Sequence, residues 1–204
     1  GNGNIYQSGG KLHLDYTGSQ KNDWWTFGRQ QKVLKLNSLP SDQVEIVVTL
    51  DSYTDVSNAE AGMAVYQDDT HGYRFGRCRV TGNGYYLHRL GTADVAYISS
   101  TALPAYLKIR KTSSSYSFYV DPGKKGTWSK CGGDYSDVTF NTVALYGLEN
   151  ADVDLGVVMD NFFIRKYTAT EPTVSAWGSE ETPHSVPPIQ GEIPQARIPV
   201  LGFM

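Results

Sequence analysis

Apolar residues in this chain recur at every second position and almost nowhere at helical spacing. Val44, Ile46, Val48 and Leu50 alternate with Glu45, Val47, Thr49 and Asp51. Leu107 and Ile109 alternate with Lys108 and Arg110, and Tyr116, Phe118 and Val120 with Ser117 and Tyr119. A period of two is the pleat of a half-buried strand. The same pattern predicts strands over residues 11–16, 31–36, 61–67, 72–80, 84–90, 143–148 and 157–167. Thr81-Gly82-Asn83-Gly84 reads as a hairpin turn, and residues 121–123 and 130–133 read as loops. No stretch carries an i, i+3, i+4, i+7 stripe with caps. Many short strands divided by glycine-rich turns predict an all-β chain, a β-sandwich with jelly-roll or Greek-key connections.

Composition narrows the function classes. The chain has 204 residues, 12% of them aromatic, which is enough to bury one core. Its formal net charge is −3 with no cluster of Lys and Arg, which disfavours a partner bound through nucleic-acid phosphates. No apolar run is long enough for a membrane-spanning helix. The pattern changes after Tyr167. Pro183, Pro187, Pro188, Pro194 and Pro199 favour extended backbone, and Ile189, Ile193, Ile198, Val200, Leu201 and Phe203 punctuate it with apolar side chains. The expected organisation is a sandwich domain over residues 1–181 and an extended Pro-rich tail over 182–204. Such a tail is expected to dock on its own domain or on a neighbouring copy.

Several segments in order resemble one family. They are Gly10-Lys11-Leu12-His13-Leu14, Asp23-Trp24-Trp25, the run from Ala61 to Asp69, Ala105-Tyr106-Leu107-Lys108-Ile109-Arg110-Lys111, Ser117-Phe118-Tyr119, and Asp160-Asn161-Phe162-Phe163-Ile164-Arg165-Lys166-Tyr167. Together they resemble the concanavalin A-like lectin/glucanase modules appended to glycosidases and found in secreted microbial surface proteins. The resemblance implies a jelly-roll sandwich and an extracellular or cell-surface location. One departure is that such modules begin with a further strand. Here only residues 1–8 precede the Gly-Gly-Lys-Leu segment. Either these residues fill that position, or an edge is left open for strand donation between copies.

Chemistry is harder to find along the sequence. A glycosidase of this kind needs two carboxylates across a cleft, and the glucanase Glu-X-Asp-X-Glu strand is absent. His13, His71, His88 and His184 form no metal or catalytic motif. The expectation is a chain that is not an enzyme and needs no cofactor. Asp51 with Asp55, Asp68 with Asp69, and Asp134 with Asp137 are loop-like oxygen donors, and the resemblance implies structural calcium without naming a ligand set. Cys78 and Cys131 lack metal or redox spacing; a disulfide between them and two buried thiols both remain open.

Two roles follow. One is the subunit of a self-assembling surface filament or coat, whose tail is anchored on the next copy through Ile189, Ile193, Ile198, Val200, Leu201 and Phe203. The other is a carbohydrate-binding module, using aromatic faces that stack on sugar rings. Trp24, Trp25, Tyr85, Tyr86 and Trp128 are the candidates, with Tyr73 and Tyr135 behind them. Strand alternation turns one ring of each adjacent pair outward.

Overall fold

The computed structural model describes residues 2–17, 32–36, 43–56, 59–68, 70–79, 82–91, 93–137, 139, 142–149 and 154–167. All of them fall in the first of the chain's two units, Gly1–Ala169. Thirteen strands and no helix form among them. The period-two segments become β2 (Lys11–Thr17), β3 (Lys32–Leu36), β4 (Val44–Tyr53), β5 (Ala59–Asp68), β6 (His71–Cys78), β7 (Gly84–Arg89), β9 (Ala105–Lys111), β10 (Tyr116–Pro122), β12 (Thr142–Glu149) and β13 (Leu155–Lys166). Three further strands are β1 (Asn2–Ser8), β8 (Ala93–Ile98) and β11 (Ser129–Lys130). β11 corrects the reading of residues 130–133 as loop alone: Lys130 pairs with Tyr119, and Ser129 with Val120.

The strands make two antiparallel sheets. One runs β1-β2-β13-β4-β9-β10-β11, the other β3-β12-β5-β6-β7-β8. Their facing sides are apolar, as the alternation requires. Ile46, Val48, Leu50, Leu107, Ile109 and Phe118 meet Met63, Val65, Phe75, Leu87 and Leu145, all at most 3% exposed. Phe118 spans the gap, its ring centroid 5.7 Å from that of Phe75 and 5.6 Å from that of Tyr73. Burying each such side chain contributes about 1.5–3 kcal/mol.

Of the two alternatives for the N-terminal residues, the first holds: β1 pairs with β2 along its whole length, from Asn2↔Thr17 to Ser8↔Lys11. The tail 182–204 and its anchors lie outside the described residues. No disulfide joins Cys78 to Cys131; both are buried thiols. Alternation along β6 places Cys78 on the outer face of the six-stranded sheet, whereas Cys131 packs in the core between the sheets.

Candidate functional site

A groove of about 580 Å³ opens on the outer face of the seven-stranded sheet. Val47 of β4, Tyr106 and Lys108 of β9, and Asn161, Phe162, Phe163 and Arg165 of β13 line it, together with Trp128. Local rules put these groups there. The Asp121-Pro122-Gly123 turn works as its composition suggests: the Asp121 carboxylate accepts the backbone N–H groups of Lys125 and Gly126 at 2.9 and 2.7 Å. That turn carries the chain back so that Trp128 covers Lys108, whose Nζ lies 4.1 Å from the ring centroid. A β-bulge between Asp160 and Phe163 adds a residue to β13 and sets Asn161 at a φ of 50°. The shift turns Phe163 outward, 43% exposed, while Met159 and Ile164 still face the core.

The groove is rich in aromatic surface. Trp128 is 37% exposed, and its centroid lies 6.2 Å from that of Tyr106 at a tilt of 30°. Behind them sits a buried charge cluster. Glu45, 2% exposed, receives Arg110 Nε and Nη2 on one oxygen at 3.0 and 2.8 Å. Arg165 Nε and Nη2 donate to the other oxygen at 2.9 and 2.6 Å. Lys108 Nζ lies 3.4 Å from Oε1. Burial alone would raise the Glu45 pKa, but the three cations outweigh it and hold the carboxyl below its usual range. Burial pushes the Lys108 ammonium the other way, below the usual lysine value, and Glu45 only partly offsets this.

The outer face of the six-stranded sheet holds a second polar cluster, fully buried. Glu60 of β5 accepts a hydrogen bond from the Tyr146 hydroxyl and lies 3.6 Å from Arg74 Nη1 and 3.7 Å from His88 Nε2. The Glu60, Cys78 and His88 ligand atoms lie within 4.8 Å of one another, so these three could hold a metal ion. Burial is the main cause that pushes the Tyr146 phenol well above its ordinary value.

The sequence candidates scatter. Trp128 lies in the groove. Trp24 and Trp25 lie outside the described residues. Tyr85 points into the core, 0% exposed, its hydroxyl donating to the Ala102 carbonyl at 2.6 Å. Tyr86 takes the opposite face, as alternation predicts, but is only 5% exposed, its ring centroids 4.5 Å from Tyr97 and 5.6 Å from His88. Neither therefore offers an open face to a sugar. Tyr73 is buried, its hydroxyl bonding Asp137, and Tyr135 packs against Tyr73 and Phe118. Asp51 and Asp68 stand in strands β4 and β5 rather than in loops, and the candidate carboxylates are engaged one by one rather than gathered: Asp51 with Lys11, Asp55 with Tyr53 and Arg79, Asp68 with Thr70 and His71, Asp134 with Lys130 and Ser117, Asp137 with Arg89. Asp69 lies outside the described residues. Lys108, Arg165 and Glu45 escaped the sequence reading because they occupy the polar half of an alternating strand, where an exposed charge is the ordinary occupant.

No protein-family model matches the chain, and no curated protein sequence does. Solved structures do. A functionally unknown protein from Saccharomyces cerevisiae matches with a TM-score of 0.62 at 15% identity, over 81% of this chain and 92% of that one. A xylan β-1,4-xylosidase from Bacillus halodurans C-125 matches at 0.59 and 15% identity, over 76% of this chain but 33% of that one. A legume lectin-like domain from Entamoeba histolytica matches at 0.50 and 8% identity, over 81% and 88%. At these identities the likeness is one of fold. It overturns the expectation that the chain is not an enzyme only so far as glycoside hydrolases carry this fold over about a third of their length. The misreading took the lack of a linear carboxylate motif for a lack of chemistry, and a motif missing along the sequence excludes no activity. The fold expected from the sequence is the one the chain adopts, a concanavalin A-like β-sandwich.

Proposed function

We propose that this chain binds carbohydrate in the groove of the seven-stranded sheet. The observation that carries this is the pairing of Trp128 and Tyr106 beside Lys108, Asn161 and Arg165 in one open groove. Flat apolar ring faces take up the C–H faces of a pyranose, and the adjoining donors meet its hydroxyls. The fold shared with a lectin-like domain and with glycoside hydrolases supports this reading by analogy. The test is affinity electrophoresis of the full chain through soluble xylan, mannan, mixed-linkage glucan and polygalacturonate. Retardation by at least one polysaccharide is expected, with Trp128→Ala weakening it about tenfold, which corresponds to about 1.4 kcal/mol. Free migration through all four contradicts the proposal.

Assembly through the tail is a separate proposal. It draws support from β1 standing at the edge of its sheet among the described residues, with Ile5 and Tyr6 each 42% exposed. Electron microscopy of the full chain should then show filaments or sheets that vanish on truncation after Glu181. Unchanged polymers from the truncated chain contradict a role for the tail.

A further inference from the structure

We propose that the saccharide taken by this groove is acidic, carrying a uronate carboxylate or a sulfate ester; this rests on the groove being a saccharide site. Among the described residues, the titratable groups that line the groove include two cations, Lys108 and Arg165, and no carboxylate. The carboxylate behind them, Glu45, is 2% exposed and already receives an arginine on each oxygen. It balances one of the three cations gathered on it, Lys108, Arg110 and Arg165. Two of those three, Lys108 and Arg165, line the aromatic groove.

The nearby carboxylates among the described residues are turned to other partners rather than into the groove. Asp121 is 1% exposed and turned to the backbone N–H groups of Lys125 and Gly126. Asp134 is bound to Lys130 and Ser117, and Asp160 accepts the Asn161 N–H at 2.7 Å. A further cation stands close by, with Lys124 Nζ 4.8 Å from the Tyr106 ring centroid. Lys108 bears the largest cost of this arrangement. It is 5% exposed, and the charge of Arg110 adds to the penalty of burial. An anion bound in the groove offsets that penalty, and a charge-assisted hydrogen bond is about twice as strong as a neutral one. The whole chain carries a net charge of −3, so its overall field does not attract polyanions; any attraction is local to the groove.

The experiment is isothermal titration of the full chain with polygalacturonate, its fully methyl-esterified form, dextran sulfate, dextran and inorganic polyphosphate. At least one acidic polysaccharide should bind ten times or more tighter than its neutral counterpart. Lys108→Met and Arg165→Gln should each weaken that binding at least fivefold and flatten its salt dependence, and Trp128→Ala should weaken it as well. Polygalacturonate alone assigns a carboxylate, and dextran sulfate alone assigns a sulfate ester. Equal or tighter binding of the neutral polymers overturns the acidic assignment and leaves the saccharide site standing. Polyphosphate bound as tightly as the acidic polysaccharides overturns it as well, because no sugar ring is then required. No binding to these or to the neutral panel overturns both. Urea melts establish that the variants fold; the Arg165 side chain is 53% exposed, so Arg165→Gln serves even where Lys108→Met unfolds.

Discussion

At Glu45 burial and charge pull in opposite directions, and the cations win. Its carboxyl therefore titrates lower in the folded chain than in the unfolded one. Such a group stabilises the fold above the ordinary carboxylate range, and that contribution is lost as pH falls through the folded value. Stability measured by urea melting should decline between about pH 5 and pH 3, and Glu45→Gln should flatten this decline. The same substitution strands three cations around a neutral amide, and at pH 7 should cost about 3 kcal/mol. A variant as stable as the parent at both pH values contradicts this account of Glu45. The thiols offer a second test at this scale. Burial pushes the Cys131 thiol up to about 12, and Cys78 is 0% exposed. A thiolate-specific reagent should label neither cysteine in the native chain and both in urea. Loss of both thiols to a disulfide contradicts this.

At the scale of elements, legibility followed alternation. β4, β9 and β10 were plain because their apolar and polar residues strictly interleave. β8 was missed and β1 left undecided for the converse reason: β1 begins Asn-Gly-Asn and exposes both Ile5 and Tyr6, so it carries no buried face to read. β11 is two residues long and leaves no period at all. The groove was half legible. Trp128 announced itself as an aromatic next to a Gly-rich turn, whereas Lys108 and Arg165 looked like solvent-facing charges. Only the pairing of β4 with both β9 and β13 brings them to one carboxylate: Glu45 is opposite Arg110 on one side and Arg165 on the other. The cluster around Glu60 was illegible because it forms diagonally, across a gap in the side chains. Gly62 faces Gly76 on β5 and β6, and a Cβ on Gly76 would stand 2.1 Å from the Ala61 carbonyl oxygen. Gly76→Ala should accordingly destabilise the fold by about 2–3 kcal/mol in urea melts, the cost of forcing an atom into a closed space. A variant within experimental error of the parent contradicts that close approach.

For the whole molecule, both outer faces of the sandwich carry charged side chains held out of water, but they differ in access. The face around Glu60 is closed, with Glu60 and Tyr146 both 0% exposed. The face around Glu45 is open through Trp128 and Phe163. The open face is therefore the one to test first. The most direct measurement is parallel titration of the parent chain and Trp128→Ala with the polysaccharide that retards the parent most. The groove predicts saturable binding by the parent, about tenfold weaker binding by Trp128→Ala, and the same urea midpoint for both. Equal affinity of the two proteins contradicts a binding site in this groove.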